Sequence, residues 1–383
     1  MKDHETTGNT FKAYEYILYG LTTLALLILA IPVIVWKTAA FLVGSAGTPM
    51  KSVKHLLGFI ALVIIIAVGF LAFKIFIPYE ISDGVVSVMV DENDTFAKVT
   101  RALKMGGVVA DDKLFSRLAV FRNIDKNLIP GRYDFSGRMS LYQILDKFKR
   151  HDIATLLLTV PEGYTAAKIA ARLARQMEID SATFHELAFD TAYTMDKYRL
   201  SSLEGYLFPE TYKLWYGMKV PDIIDAMVAE YQRQTEGVFD TPAPNNLTKD
   251  EIMVLASIIE AEAYYTDEMP TISSVYHNRL RKGMRLQADP TVIYALGGLD
   301  RPLQYRDLKY QSSYNTYRNK GLPPGPINSP GLAAIKAAIK PADTDYLYFV
   351  ANGTGRHTFT RTLKEHNVAK RDAKQKRREN QSN

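Results

Sequence analysis

Two glutamates, Glu260 and Glu262, lie in a stretch of chain that is otherwise almost wholly apolar. The stretch opens with the capping-box sequence TKDE at 248–251 and continues as IMVLASIIEAEA to residue 263, with apolar residues at helical spacing. A helix that is apolar almost all round is usually buried, and an unpaired buried carboxylate is costly. The two glutamates therefore need either a partner or a function.

Helix geometry distinguishes the two carboxyl groups. Helical side chains lean back over positions i−3 and i−4, which hold the small Ser257 and Ala256 in the case of Glu260. For Glu262 the same positions hold two bulky isoleucines. We therefore expect a ligand to reach Glu260 across a shallow floor, and Glu262 to be a structural ion-pair or hydrogen-bonding residue.

Burial would also set the chemistry of Glu260. A carboxyl group with apolar surroundings keeps its proton toward neutral pH, as a general acid requires. The alternative is that Glu260 pairs with an arginine, for example Arg279 or Arg285. The helix alone leaves both interpretations open.

Composition excludes several other chemistries. The chain has 0 cysteines, which removes disulfides, thiolate catalysis and cysteine-ligated zinc. His277, His357 and His366 do not have metal-ligand spacing, so we expect no metal site.

Two long apolar segments, 16–36 and 56–77, dominate the N-terminal part of the chain. Each is about long enough to cross a bilayer, so we expect a membrane anchor at 1–80 in the form of a helical hairpin. The connector carries Lys37, Lys51 and Lys54 but no acidic residue, which predicts that it is cytoplasmic and that the rest of the chain lies outside. A single span is the alternative.

The predicted fold class is α+β, with a transmembrane helix or helical hairpin, a small α+β module and a mixed α+β domain. Turn and cap residues predict the order β-α-α-β-α in the module. Its predicted elements are a strand at 85–90, helices at 96–105 and 112–121, an extended segment at 132–135 and a helix from 140 to 150. A strand at 153–160 and helices at 165–177 and 181–189 follow, and the basic segment 369–383 is predicted to be a disordered tail.

The second half of the chain carries a series of short motifs. They are EGYLFPETY (204–212), LASIIEAE (255–262), NRL (278–280), GMRLQADPTVIY (283–294), YNTY (314–317), GLPPGPI (321–327), YLYFV (346–350), HTF (357–359) and HN (366–367). In this set and order, the chain resembles the endolytic murein transglycosylase family, also called MltG or YceG-like, over residues 80–368.

The resemblance implies an enzyme that cuts the MurNAc–GlcNAc bonds of peptidoglycan and forms 1,6-anhydroMurNAc ends without a cofactor. It implies a LysM-like module at 81–152, a catalytic domain at 153–368 and Glu260 as the catalytic glutamate. The implied location is the cytoplasmic (inner) membrane, with the catalytic domain on the extracytoplasmic side. The implied partners are glycan strands, the lipid bilayer and peptidoglycan synthases. A basic tail on that side would not meet nucleic acid.

Six further residues are candidates for substrate binding, because their hydroxyl, amide, carboxyl and ring groups suit sugars. They are Glu204, Gln287, Asp289, Tyr314, Asn315 and Tyr317. Gln287 and Asp289 are expected on a loop or extended segment ahead of Pro290, and Glu204 could instead be structural or a second acid. Two other functions stay open: a hydrolytic muramidase using Glu260 with Glu204 or Asp289, and a non-catalytic wall-binding or scaffold protein.

Overall fold

The structure is a computed structural model that describes residues 49–81, 84–177 and 179–382. The first apolar segment, 16–36, lies outside these residues, so the choice between one and two membrane spans stays a prediction. The chain divides into two compact units, Met1–Ala154 and Thr155–Asn383. The boundary falls two residues after the one expected from the sequence.

Helix α1 (Pro49–Phe76) contains the second predicted membrane segment, 56–77, except for its last residue. Its part Leu56–Phe76 is 21 residues long with a mean hydropathy of 3.0, and its apolar window is not buried inside the protein. It is the one helix in the described part of the chain that is long and apolar enough to cross a bilayer. The helix ends at Phe76, as expected ahead of Pro78, because a proline disfavours helical backbone in the preceding residue.

The module that follows α1 has the predicted β-α-α-β-α order, with a two-residue strand added on each side of the main pair. Its elements are β1 (Tyr79–Glu80), β2 (Val86–Val90), α2 (Phe96–Met105), α3 (Asp112–Phe121), β3 (Gly131–Phe135), β4 (Arg138–Met139) and α4 (Leu141–Lys149). Strand β2 pairs antiparallel with β3, with Val88 opposite Tyr133, and β1 pairs with β4. Phe115, Tyr133 and Phe148 lie at the centre of its core.

The caps of these helices are those that the sequence predicts. Thr95 accepts the backbone N–H of Lys98 at the start of α2. Ser140 and Gln143 form a reciprocal capping box at the start of α4. Each cap satisfies N–H groups that have no partner inside the helix, which is why the boundaries can be read from the sequence alone.

The second unit begins with a two-stranded sheet and its helices. The elements are β5 (Thr155–Thr159), α5 (Ala166–Met177), α6 (Ser181–Phe189), α7 (Thr191–Tyr198), β6 (Thr211–Trp215) and α8 (Val220–Gln234). Strands β5 and β6 are antiparallel, with Leu158 opposite Tyr212. Ile169 and Leu173 of α5 lie fully buried against this sheet because they share one face of the helix.

The rest of the unit is built around α9 (Lys249–Glu262). The elements after it are α10 (Met269–Arg281), α11 (Asp289–Ala295), α12 (Leu332–Ile339), β7 (Tyr348–Ala351), β8 (His357–Thr360) and α13 (Leu363–Ser382). Helix α9 begins with the predicted capping box of Thr248 and Glu251, and every residue from Ile252 to Ile259 is buried. Helices α10 and α12 pack against it, which confirms the buried helix expected from the sequence.

The C-terminal segment differs from its prediction. Residues 369–383 were expected to be disordered because they are strongly basic, but α13 continues to Ser382. The segment contains no glycine or proline and is rich in Ala, Lys, Arg and Gln, which all favour a helix. Ala373 is buried, and the helix packs against β7 and β8. The basic charge therefore lies on a helix.

Candidate active site around Glu260

Glu260 lies in the last turn of α9, where its side chain is half-buried. Its Oε2 accepts a hydrogen bond from the backbone N–H of Gly331 at 3.0 Å. Gly331 is the N-cap residue of α12, so the carboxyl group faces the positive end of that helix. Glu260 thus has a fixed hydrogen-bond donor that comes from a different element.

A turn after β5 forms another wall of the same site. Gly163 and Tyr164 form an antiparallel bridge with Ser329. The bridge comprises Gly163 N–H to Ser329 O at 2.9 Å and Ser329 N–H to Tyr164 O at 2.8 Å. A methyl group at Gly163 would stand 3.8 Å from Cγ of Glu260, so this turn lies directly beside the glutamate. Three segments that are far apart in the sequence therefore meet at Glu260.

The floor beneath Glu260 differs from the expectation of an open surface. Ser257 is fully buried, because its Oγ accepts the N–H of Ile327 at 3.0 Å and its carbonyl accepts the Asn328 side-chain amide at 2.8 Å. The small residue makes room for the loop at 327–331, which fills the predicted ligand floor. This loop also carries Gly331, so Ser257 helps to position the hydrogen-bond donor of Glu260. A ligand would have to approach Glu260 from another side.

Glu162 is a functional candidate that the sequence alone did not single out. It is exposed, and its carboxylate lies against Gly331, where an added methyl group would stand 1.8 Å from Oε1 of Glu162. Gly331 therefore contacts two carboxyl groups, one through its N–H and one through its Cα. The sequence signal that could have identified it is a glutamate between Pro161 and Gly163, in the turn that ends a strand.

The pKa of Glu260 reflects these neighbours. Burial raises the pKa from 4.5 to about 7, the Gly331 N–H acts against this rise, and the negative charge of Glu162 adds to it. A carboxyl group with a pKa near neutral can both donate and accept a proton at the same pH. The ion-pair alternative with Arg279 is wrong, because that guanidinium donates to the carbonyl oxygens of Leu286 and Leu347.

Glu262 lies on the other flank of α9 and has a different environment. It accepts a hydrogen bond from the Tyr276 hydroxyl at 2.9 Å, which confirms the hydrogen-bonding position expected for it. Burial raises its pKa to about 7, the Tyr276 hydroxyl lowers it, and the charge of Asp289 raises it. Its carboxyl group is therefore satisfied by a neighbouring helix, α10.

Asp289 and Tyr317 lie together on the Glu262 side. The Tyr317 hydroxyl donates a hydrogen bond to Asp289 Oδ1. Asp289 is exposed and begins α11, whereas a loop or extended segment was expected there; Pro290 suits the first turn of a helix because its missing N–H is not needed. Gln287 is exposed with φ +49 outside the helix, as expected. Both polar side chains are thus available to a ligand.

Glu204 is buried, with 2% of its surface exposed. Its carboxyl group accepts the N–H of Ala166, at the start of α5, at 3.0 Å and the Tyr294 hydroxyl at 3.2 Å. Burial raises its pKa to about 7. The Tyr294 ring in turn lies 5.0 Å from the ring of Tyr314, which is half-buried. These two hydrogen bonds give Glu204 a structural role, because they link α5 to α11.

Asn315 is fully buried and shapes its own loop. Its side-chain amide donates to the carbonyl oxygens of Leu308 and Tyr310 at 3.0 and 2.7 Å. Its Oδ1 accepts the N–H of Tyr317 at 2.9 Å. The amide is used on both sides within the loop, so Asn315 positions Tyr317 in this structure.

Comparison with known proteins identifies the family of this chain. Residues 88–372 match the YceG-like family. The chain belongs to this family. An endolytic murein transglycosylase of Bacillus subtilis is 34% identical over 306 residues, which cover 76% of this chain and 85% of that protein. One of Streptococcus pneumoniae strain D39 is 30% identical over 319 residues, which cover 74% of this chain but 58% of that protein.

A solved structure shares the fold of this YceG-like protein. The crystal structure of a yceG-like protein from Listeria monocytogenes superposes with a TM-score of 0.53 and 33% sequence identity. The superposition covers 75% of this chain and 99% of the Listeria chain. The likeness therefore extends over most of both chains.

Two histidines of this YceG-like protein, His277 and His357, lie at ordinary hydrogen-bond distances from their neighbours. The two ring nitrogens of His277 lie 3.1 Å from the Asn245 side-chain amide and 2.8 Å from the Ala338 carbonyl oxygen. His357 Nδ1 lies 3.0 Å from Glu268. Within the ranges that the structure describes, no three His, Cys, Asp or Glu side chains are grouped to hold a metal ion.

Proposed function

We propose that this protein is a peptidoglycan lytic transglycosylase that cuts the MurNAc–GlcNAc β-1,4 bond within glycan strands and leaves 1,6-anhydroMurNAc ends. Membership of the YceG-like family and relatives named endolytic murein transglycosylases support the reaction class. One observation carries the assignment of the acid and base to Glu260. Its half-buried carboxyl group accepts a single backbone N–H, from Gly331, and burial raises its pKa to about 7.

The proposed reaction uses the same carboxyl group twice. Protonated Glu260 donates its proton to the GlcNAc O4 as the bond from that oxygen to C1 of MurNAc breaks. The resulting carboxylate takes the proton of the MurNAc C6 hydroxyl, whose oxygen forms a new bond to C1 and closes the anhydro ring. Glu260 ends protonated as it began, and no water is consumed.

The neighbours of Glu260 support both halves of this cycle. Glu162 and the apolar surroundings favour the protonated form that starts the reaction. The Gly331 N–H, at the N-terminus of α12, stabilises the carboxylate that forms midway. Since the Gly331 N–H belongs to the backbone of the 327–331 loop, this donor needs no rearrangement when the proton moves.

A hydrolytic muramidase remains the second candidate because a specific observation favours it. Glycoside hydrolases use two carboxyl groups that flank the bond, and Glu162 lies beside Glu260 at Gly331. Glu204, by contrast, is buried, and Asp289 lies on the Glu262 side. The two reactions differ in product, because the lytic product is lighter by one water than the hydrolytic one.

The apolar helix α1 supports a proposal for the position of the enzyme in the cell. We propose that α1 anchors the protein in the cytoplasmic membrane, with residues 81–152 as a LysM-like module and the catalytic unit outside. The anchor would keep the site close to newly made strands, so the enzyme would trim nascent glycan beside peptidoglycan synthases. If cells that carry only the released soluble part keep normal strand lengths, this location is not needed for function.

The deciding experiment is mass analysis of the products from purified peptidoglycan glycan strands, with the full-length protein and its Glu260→Gln variant side by side. We expect anhydro ends from the wild type and at least about 100-fold fewer cuts from the variant, which cannot transfer a proton. The variant should still bind strands, because glutamine has nearly the same shape.

The alternatives give different results in the same experiment. Reducing ends would identify the hydrolytic reaction. Binding without any cleavage by the wild type would identify a wall-binding or scaffold protein. Cleavage at the normal rate by Glu260→Gln would refute the assignment of the acid and base. Glu236→Gln, a change of an exposed glutamate in the same unit, is the matched control and should cut normally.

A further inference from the structure

Two tyrosines follow directly after α9 and are unusually accessible for their size. Tyr264 is 78% exposed and Tyr265 is 37% exposed. Their rings lie 4.9 Å apart and nearly perpendicular, at 80°. An exposed aromatic side chain indicates a binding site only when its ring is held in place, because single mobile rings are common on protein surfaces.

The β7–β8 hairpin fixes this pair from one side. Gly355, in the turn of the hairpin, has φ +81, and a methyl group there would stand 3.3 Å from Tyr265 and 3.4 Å from Tyr264. Arg356 lies over the Tyr265 ring at 4.5 Å and bonds to Asp267 at 3.0 Å. The hairpin covers part of Tyr265 and leaves most of Tyr264 in water. The rings are therefore pre-organised, which lowers the entropy lost on binding a ligand.

The pair is close to Glu260 along the chain and belongs to the same compact unit. Tyr264 is four positions after Glu260 in the sequence, so their Cα atoms are at most about 14 Å apart. A polymer whose bond is cut at Glu260 would therefore extend past this pair if it runs along that side of α9.

Rigid tyrosine rings suit one kind of ligand in particular. A pyranose ring has a face of C–H groups that packs on an aromatic face, and its hydroxyl rim can bond to a phenol or guanidinium group. A neutral sugar also needs no ion pair, in keeping with Arg356, which is already paired with Asp267. We propose that Tyr264 and Tyr265 form a sugar-binding subsite that packs against a pyranose ring of the glycan strand next to the bond cut at Glu260. This inference rests on the function proposed above.

The test measures binding and cleavage separately in the full-length protein. Binding of purified peptide-free glycan strands is measured in the Glu260→Gln background, with and without Tyr264→Ala. We expect Tyr264→Ala to weaken binding roughly three- to tenfold, as for one lost ring contact. Tyr264→Trp should restore binding, because the ring face and not the hydroxyl makes the contact. Tyr305→Ala is the matched control, since Tyr305 is 79% exposed in the same unit but is not among the residues assigned to the site, and it should change nothing.

Kinetics on the otherwise unchanged enzyme complete the test. We expect Tyr264→Ala to raise KM by a similar factor and to leave kcat within about twofold, because the ring binds ground state and transition state alike. Unchanged binding and KM in Tyr264→Ala, with a wild type that cuts normally, would overturn the subsite and leave the proposed function intact. A wild type that binds strands through Tyr264 but never cuts them would overturn the function and leave the subsite. No binding and no cutting by the wild type would overturn both.

Discussion

Glu260 is influenced by two neighbours with opposite effects on its charge. The N–H of Gly331 stabilises the carboxylate, while the negative charge of Glu162 and the burial of the side chain stabilise the neutral acid. The result is a pKa of about 7, so both forms are accessible near neutral pH. In the proposed reaction Glu260 donates one proton and then accepts another, and this balance suits both steps because neither form is strongly favoured.

Replacing Glu162 by glutamine removes one contribution to that balance. The pKa of Glu260 should fall, because the neighbouring negative charge no longer opposes ionisation. Since the first step of the proposed reaction requires the protonated acid, the alkaline limb of kcat/KM against pH should move to lower pH. The shift should be at most about one pH unit, because Glu162 is exposed and water screens its charge. A pH–rate profile on purified strands measures it.

The control for this profile is Glu236→Gln, which removes an exposed glutamate elsewhere in the unit and should leave both limbs unchanged. A complete loss of activity in Glu162→Gln at every pH would contradict the auxiliary role. It would instead make Glu162 a second essential carboxyl group, as in the hydrolytic reaction.

At the scale of elements, the parts set by local sequence could be predicted. Helices α2 and α3 begin and end at the predicted residues, and the capping boxes at Ser140 and Thr248 are present. Caps, periodicity and turns act within a few residues of each other, so the sequence carries them directly. The same local geometry predicted that Glu260 and Glu262 differ in their surroundings, and the two do lie in different environments.

The parts that depend on distant contacts could not be predicted. Ser257 predicted an open floor, whereas the loop at 327–331 occupies it. Glu162 gained its role only because the turn after β5 meets that loop. The C-terminal segment is helical and not disordered as predicted, because its helix-forming residues and its packing against β7 and β8 outweigh the repulsion of its charges.

A substitution at Gly331, the N-cap of α12, should also change the pKa of Glu260. Gly331→Ala places a methyl group where the Glu162 carboxylate lies, and this flexible side chain can move away at small cost. The backbone of Gly331, with φ −74 and ψ 167, suits alanine, so stability should change by less than about 1 kcal/mol. The alkaline limb should shift in the same direction as in Glu162→Gln, and the double variant should shift no further. Additive shifts would show that the two residues act separately.

At the scale of the whole molecule, three glutamates make stability depend on pH. The pKa values of Glu204, Glu260 and Glu262 are each raised from 4.5 to about 7 in the folded protein. Between these values the unfolded chain loses protons that the folded protein keeps, so their contribution to stability falls as the pH rises. It is greatest below pH 4.5 and lost above pH 7.

Glu204→Gln isolates the contribution of one glutamate to the pH dependence of stability, because Glu204 is buried and has no part in the proposed proton transfer. At pH 8 the variant should be more stable than the wild type by about 2 kcal/mol, after about 1 kcal/mol is subtracted for a weakened hydrogen bond. Near pH 4.5 it should be equal or slightly less stable. Denaturant unfolding at both pH values measures this, with the exposed Glu186→Gln as the control. A gain that is the same at both pH values would contradict a titration origin.

The meeting of residues 163–164, Glu260 and 329–331 has a consequence during synthesis. A growing chain presents Glu260 long before the ribosome has added Gly331, so the glutamate first exists without its N–H donor. Contacts between residues so far apart in the chain form late and slowly in folding. Completion of the contacts around Glu260 is therefore among the last steps in the folding of a new chain. A prematurely ended chain would carry this glutamate without the Gly331 N–H.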